Sequence, residues 1–124
     1  VCVNTIAQKA AIAALTGPQD FPRKMCKEYE QRRNIMVEEF NKMPGITCRK
    51  PWGTFYVFPN ISKTEMSSLE FAKYIAREAR VLFNPGSAFG DAGEGYLRTA
   101  TTLPPEKLKE GLERVREAVE KLQK

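Results

Sequence analysis

The fold of this chain turns on Asn84-Pro85-Gly86-Ser87-Ala88-Phe89-Gly90-Asp91-Ala92-Gly93-Glu94-Gly95-Tyr96-Leu97-Arg98-Thr99-Ala100, a glycine-rich loop running into a short apolar segment. Gly86, Gly90, Gly93 and Gly95 let the backbone take conformations closed to other residues and approach a neighbour or ligand closely. Arg98 stands inside a strand-like run, between Leu97 and Thr99. A guanidinium there cannot be buried without an anionic partner. Two partners are open to it: an external carboxylate or phosphate, or one of the chain's own acids, Asp91 or Glu94.

Outward from that stretch, helical and strand periods alternate. Thr5 is a candidate cap for a first helix carrying Ala7, Ala10, Ala11, Ala14 and Leu15 at helical spacing, which Gly17-Pro18 stops. Its alanine face predicts close packing against another helix or domain. Asp20 opens a second, longer helix, with Met25, Tyr29, Met36 and Phe40 as its buried stripe and Pro44-Gly45 as its end. Arg32 and Arg33 on that helix read as a solvated face plus one packed stem.

Ile46-Thr47-Cys48 and Thr54-Phe55-Tyr56-Val57-Phe58 predict two antiparallel strands joined by the turn material Lys50-Pro51-Trp52-Gly53. Trp52 and Phe55 read as core, with a ligand pocket as the alternative. Ser67-Ser68-Leu69-Glu70 is a capping box for a helix with Leu69, Ala72, Ile75, Ala76 and Ala79 on one side. Val81-Leu82-Phe83 and Tyr96 to Ala100 predict the next strands. Leu108, Leu112, Val115, Val119 and Leu122 mark a terminal helix after Thr102 and Pro104-Pro105. The order α-α-β-β-α-β-β-α predicts a single α+β domain over residues 1–124, a two-layer arrangement of helices on a small, mostly antiparallel sheet.

Composition narrows the chemistry. The 124 residues include no histidine, and Cys2, Cys26 and Cys48 form no CxxC pair. Zinc sites, Ser-His-Asp triads and Cys-His dyads on this chain alone are thereby excluded or nearly so, and the thiols read as reduced and structural. The net charge of +5 admits nucleic acid, but the cations are interleaved with acids. Glu28/Arg32, Glu38/Lys42, Glu110/Arg114 and Glu117/Lys121 stand at i,i+4 spacing, the pattern of a solvated face. No apolar run approaches the roughly 20 residues of a membrane span. Lys9 interrupts the only early apolar run, so no signal-peptide pattern opens the chain and a cytoplasmic location is expected. Val1 in place of Met suggests a piece of a longer chain. The glycine loop lacks a P-loop ending, a dinucleotide-site setting and EF-hand ligands. The residues therefore offer an anion-binding arginine and no catalytic set.

Five motifs in order carry a family resemblance: Thr5-Ile6-Ala7-Gln8-Lys9-Ala10-Ala11, Tyr29-x-x-Arg32-Arg33, Pro51-x-Gly53-x-Phe55-Tyr56-x-Phe58-Pro59, Pro85-Gly86-Ser87-Ala88-Phe89-Gly90 and Gly93-x-Gly95-Tyr96-Leu97-Arg98. Together they resemble the C-terminal part of the class I pyridoxal-phosphate-dependent aminotransferases, the aspartate aminotransferase-like group, over nearly the whole chain. The resemblance implies the small domain of a fold-type I enzyme and an activity that transfers an amino group between an amino acid and a 2-oxo acid. It implies that Arg98 binds the substrate α-carboxylate, that Phe55 lies near the substrate, and that the loop with Pro85, Gly86, Ser87 and Phe89 shapes that side of the site. It further implies a homodimer, pyridoxal 5'-phosphate in the intact enzyme, and a Schiff-base lysine, pyridine-nitrogen aspartate and phosphate-binding residues upstream of Thr5.

This chain alone should hold no covalent cofactor and be inactive. Ser62-Lys63-Thr64 imitates the family's lysine motif but follows the aromatic strand instead of preceding the first helix, and no Gly-x-Arg comes after it. After the arginine the family continues with Ser and then Tyr-Ala, whereas Thr99-Ala100-Thr101-Thr102 stands here and keeps the hydroxyl. Two rival readings are a stand-alone, non-catalytic module for carboxylate metabolites that uses Arg98, and a basic nucleic-acid-binding domain, against which the interleaved charges argue.

Overall fold

A computed structural model describes residues 2–122. Helix α1 spans Thr5–Thr16 and α2 spans Asp20–Lys42. Asn4, not Thr5, caps α1: its side-chain oxygen accepts from the Ile6 and Ala7 amides at 2.8 and 3.3 Å. No residue of α1 is buried, so its alanine face meets no element among the described residues. In α2 the buried side chains are Arg33, Met36 and Phe40, while Met25 and Tyr29 are half-buried. Both arginines are more deeply engaged than a solvated face requires. Arg32 donates to the Thr102 carbonyl and to Glu28, each at 2.9 Å. Arg33 donates to the Pro51 carbonyl at 3.2 Å and to Glu30 at 3.1 Å.

Three short strands form the sheet: β1 (Tyr56–Val57), β2 (Asn84–Pro85) and β3 (Leu97–Ala100), in the order β1-β3-β2, with both pairings antiparallel. Tyr56 stands opposite Ala100 and Val57 opposite Thr99, while Asn84 faces Arg98 and Pro85 faces Leu97. Strand alternation therefore turns Val57, Leu97 and Thr99 to one face and Tyr56, Arg98 and Ala100 to the other.

The strands are shorter than their residue types predict. Thr54 has φ 66°, which ends the extended run before Phe55, and Pro59 beyond it has no amide to donate. Ile46-Thr47-Cys48 contributes one bridge, Thr47 with Asn60, rather than a strand. Val81-Leu82-Phe83 is likewise not a strand. Leu82 is 85% exposed between a half-buried Val81 and a buried Phe83, as in extended chain without a hydrogen-bonded neighbour, and Arg80 at φ 56° delays the pairing until Asn84.

Helix α3 (Ser68–Glu78) begins at the expected capping box, Ser67 with Glu70. Its inward stripe is Phe71, Ala72, Ile75 and Ala79, and Leu69 points to solvent. Helix α4 (Pro105–Lys121) buries Leu108, Leu112, Val115, Ala118 and Val119, whereas Leu122 lies outside it and is exposed. Helix α4 packs on α2 and α3, α2 also meets β1, and α3 meets β2. Phe40, Ile61, Phe71, Val57 and Leu97 fill the core between this helical layer and the inward face of the sheet. The result is the expected α+β domain of helices on a small antiparallel sheet.

Two of the four expected i,i+4 pairs form, Glu28/Arg32 at 2.9 Å and Glu38/Lys42 at 2.8 Å. Glu110 pairs instead with Lys107, and Lys121 with Glu78. Cys48 is buried, and desolvation pushes its thiol pKa up to about 11, so it packs as an inert side chain. Cys2 and Cys26 are exposed, which corrects the expectation of three structural thiols. No helix among the described residues is long and apolar enough to cross a membrane.

One contact anchors the glycine-rich loop. A Cβ built on Gly86 would lie 2.0 Å from the Gly93 carbonyl oxygen and 2.6 Å from that of Tyr96, so two backbone segments touch where no side chain fits. Gly86→Ala must part them, at a cost of about 1–3 kcal/mol or more. Urea unfolding of the variant should show a lowered midpoint, and an unchanged midpoint would contradict this packing.

Candidate functional site

Arg98 projects from the middle strand on the face opposite the core. Its guanidinium carbon lies 4.4 Å from the Tyr56 ring centroid and 4.1 Å from that of Phe89, so two aromatic rings pack against the cation. Tyr56 reaches it diagonally across the β1–β3 ladder. Phe89 reaches it from a 3-10 turn, Gly86–Phe89, that follows β2. The Arg98 Nε is buried and has no hydrogen-bond partner among the described residues. What remains available is the edge of the fork, the part that binds a carboxylate through parallel hydrogen bonds.

The internal acids do not take that edge. Glu94 turns to the start of α3, where its two carboxylate oxygens accept from the Ser68 amide and the Ser68 hydroxyl, both at 2.7 Å. Asp91 begins a second 3-10 turn, Asp91–Gly93, and is exposed. Among the described residues neither acid forms an ion pair with Arg98, and the alternative of an internal partner is not realised.

The other expected site residues gather on the same side. Pro85 and Gly86 carry the chain from β2 into the turn, and Ser87 lies against α3, its hydroxyl oxygen 3.0 Å from that of Ser68. Phe89 is 47% exposed. Phe55, 41% exposed, packs tilted against Tyr56 at 4.5 Å and stands 6.1 Å from Tyr29. It therefore touches the ring that flanks Arg98, while its carbonyl accepts from the Thr101 amide at 2.8 Å.

Trp52 is 97% exposed, which overturns its reading as core. It lines a cleft of about 430 Å³ with Tyr29, Arg33, Gly53 and Phe55. Gly53 has open space around it, and the loop carries Trp52 away from the sheet.

Three further residues belong to this face. Tyr56 stacks on Arg98, Phe58 stands 5.5 Å from Tyr96 and 6.3 Å from Phe89, and Ser68 ties the loop to α3. Alternation in Tyr56-Val57-Phe58 was the available signal for the first two: with Val57 inward, both rings must face the Arg98 side. Ser68 had no such signal, because its partners are 19 and 26 residues away.

Comparison with known proteins identifies the family. The family model for aminotransferase class I and II matches residues 1–115. The aspartate aminotransferase of Pyrococcus horikoshii is 44% identical over 120 residues, covering 95% of this chain and 31% of that protein. A solved structure of an alanine aminotransferase from Pyrococcus furiosus superposes with a TM-score of 0.91 at 39% identity, covering 97% of this chain and 31% of that one. Cystalysin from Treponema denticola, solved with its pyridoxal 5'-phosphate cofactor, superposes at a TM-score of 0.74 with 25% identity over 80% of this chain and 26% of that one. The chain belongs to the class I and II aminotransferase family, whose members depend on pyridoxal phosphate, and it spans about a third of the length of the relatives it matches.

The Glu94 contact is sensitive to acid. The Ser68 amide first, and then its hydroxyl, holds the Glu94 carboxyl below the usual carboxylate range. A depressed folded-state pKa means that the contact stabilises the fold at neutral pH and is lost as pH falls through that lowered value. Glu94→Gln should therefore lower the urea midpoint at pH 7, and its difference from the parent chain should shrink as pH falls below the ordinary carboxylate range and vanish beneath the lowered Glu94 value. A difference that persists undiminished in acid would rule out the carboxylate as its source.

Proposed function

We propose that this chain is the C-terminal, substrate-side domain of a pyridoxal-phosphate-dependent amino-acid aminotransferase, and that Arg98 binds the α-carboxylate of the amino acid or 2-oxo acid. The observation that carries the reading is a guanidinium packed against Tyr56 and Phe89 with no acid paired to it among the described residues. A carboxylate arriving there would meet two parallel donors, a geometry a lysine cannot reproduce. Phe55 and the loop of Pro85, Gly86, Ser87 and Phe89 would bound the substrate on that side. Holding the carboxylate fixes the direction of the bond to be broken at the neighbouring carbon, which is an orientation effect.

The residues present fit a carboxylate and do not fit the cofactor. Lys63, in the only Ser-Lys-Thr run, sits on a 3-10 turn and lines a small cleft with Pro44, Glu65 and Leu122, a set separate from the rings around Arg98. On this reading the anchoring lysine and the phosphate-binding groups belong to a cofactor-binding domain outside these residues. When bound there, pyridoxal phosphate supplies the electron sink. The wholly exposed α1 offers a face for that domain, and on the family resemblance the intact enzyme is a homodimer, with a cytoplasmic location expected from the early sequence pattern.

Losing charge-assisted bonds of this kind costs about 1.5–3 kcal/mol each. In the intact enzyme, Arg98→Lys should lower kcat/KM by about 10- to 100-fold while the circular dichroism spectrum stays that of the parent. Unchanged kcat/KM would refute the role of Arg98. Separately, borohydride treatment of the 124-residue chain with pyridoxal 5'-phosphate, followed by peptide mapping, should label Lys63 no more than other exposed lysines. Selective, stoichiometric labelling of Lys63 would place the cofactor anchor in this chain.

A further inference from the structure

The two rings around Arg98 are held in different ways. Tyr56 belongs to a strand and is fixed by the β1–β3 ladder. Phe89 sits at the end of a 3-10 turn, where among the described residues its ring pairs with Phe58 alone, at 6.3 Å. The turn is tied to β3 at its start, where the Gly86 amide donates to the Tyr96 carbonyl at 2.8 Å. Its later amide bonds run within the loop itself, Gly90 to the Ser87 carbonyl and Gly93 to the Gly90 carbonyl. Something else has to keep Phe89 over the guanidinium.

Ser68, the fully buried first residue of α3, meets that need. Its hydroxyl has one proton, which goes to the Glu94 carboxylate at 2.7 Å. The oxygen can then accept from Ser87, whose amide is 3.4 Å and hydroxyl 3.0 Å away. The Ser68 amide donates to the other Glu94 oxygen at 2.7 Å. One side chain thereby gathers the segments before and after Phe89 onto the end of a helix, with the Glu94 charge strengthening the chain of bonds. Helix α3 does not rely on this hydroxyl for its cap, which Ser67 supplies.

We infer that Ser68, bonded to Glu94 and Ser87, is a positioning residue for carboxylate binding: it holds the turn so that Phe89 stays stacked on Arg98. The inference rests on the reading of Arg98 given above. It predicts an effect on substrate affinity that passes through Phe89 and leaves the chemical step nearly untouched.

The test is a double-mutant cycle in the intact enzyme with the best substrate among L-aspartate, L-alanine and L-tyrosine. Ser68→Ala and Phe89→Leu should each raise KM about three- to tenfold with kcat changed less than about twofold, and the double variant should be no worse than Phe89→Leu alone. Independent effects that multiply, or an unchanged KM in Ser68→Ala, would overturn the inference. If Ser68→Ala does not fold, Glu94→Gln takes its place in the cycle, and if neither variant folds the network serves folding instead and the inference falls. Arg98→Lys, run alongside, separates the two levels. An unchanged kcat/KM there sinks the carboxylate reading, whereas a lowered kcat/KM combined with a multiplicative cycle sinks only the positioning role.

Discussion

A guanidinium packed against two aromatic rings exchanges part of its hydration for contact with their π clouds and keeps its full charge. Its hydrogen-bonding capacity is then confined to its edge. Among the described residues no acid pairs with Arg98, although Asp91 and Glu94 lie within seven residues of it in sequence. The loop achieves this by giving Glu94 a stronger claim elsewhere: two donors from one serine at the start of a helix. An arginine that only stabilised the fold would be expected to take the nearest carboxylate, because a buried, unpartnered donor such as its Nε is costly.

The rest of the architecture serves that separation. Strand β3 lies between β1 and β2, and the two-residue alternation sends Leu97 into the core while Arg98 goes outward. The ladder to β1 delivers Tyr56 from one side, and the turn beyond β2 delivers Phe89 from the other. The turn can come so close only because Gly86 and Gly93 touch backbone to backbone. The helices α2, α3 and α4 supply the packed layer that makes so small a sheet rigid, and α3 also supplies Ser68.

Where a feature depended on local periodicity or capping chemistry, the residues alone disclosed it. The α4 stripe and the Ser67–Glu70 box belong to that class. Features that depended on long-range partners were not legible. Val81-Leu82-Phe83 has strand-forming residues, yet a strand needs a hydrogen-bonded neighbour, and β-propensity describes the fit to such a neighbour. Trp52 has the composition of core, but the positive φ of Thr54 swings its loop outward. The choice between an internal and an external partner for Arg98 turned on a bond between Glu94 and a residue 26 positions earlier, which no spacing rule anticipates. The family resemblance supplied what periodicity could not, because it carries the outcome of those long-range contacts without deriving them.

The outward face reads differently once its rings are placed together. Tyr29, Phe55, Tyr56, Phe89, Phe58 and Tyr96 form an aromatic band around Arg98, with a second arginine, Arg32, over the Tyr29 ring at its end but already paired with Glu28. A band of half-exposed rings on a chain this small exceeds scattered surface hydrophobicity, and contiguous patches of that kind mark a surface made to meet something. On the proposed reading, Arg98, the cation of this band with no acid paired to it among the described residues, takes an anion small enough to reach the edge of one guanidinium, attached to a group that tolerates aromatic walls. An amino acid or 2-oxo acid has that form, whereas a nucleic-acid backbone would call for a row of cations. On the proposed reading the band is one wall of a closed site, and its exposure in this domain is what a wall shows when the opposite side lies in another part of the enzyme.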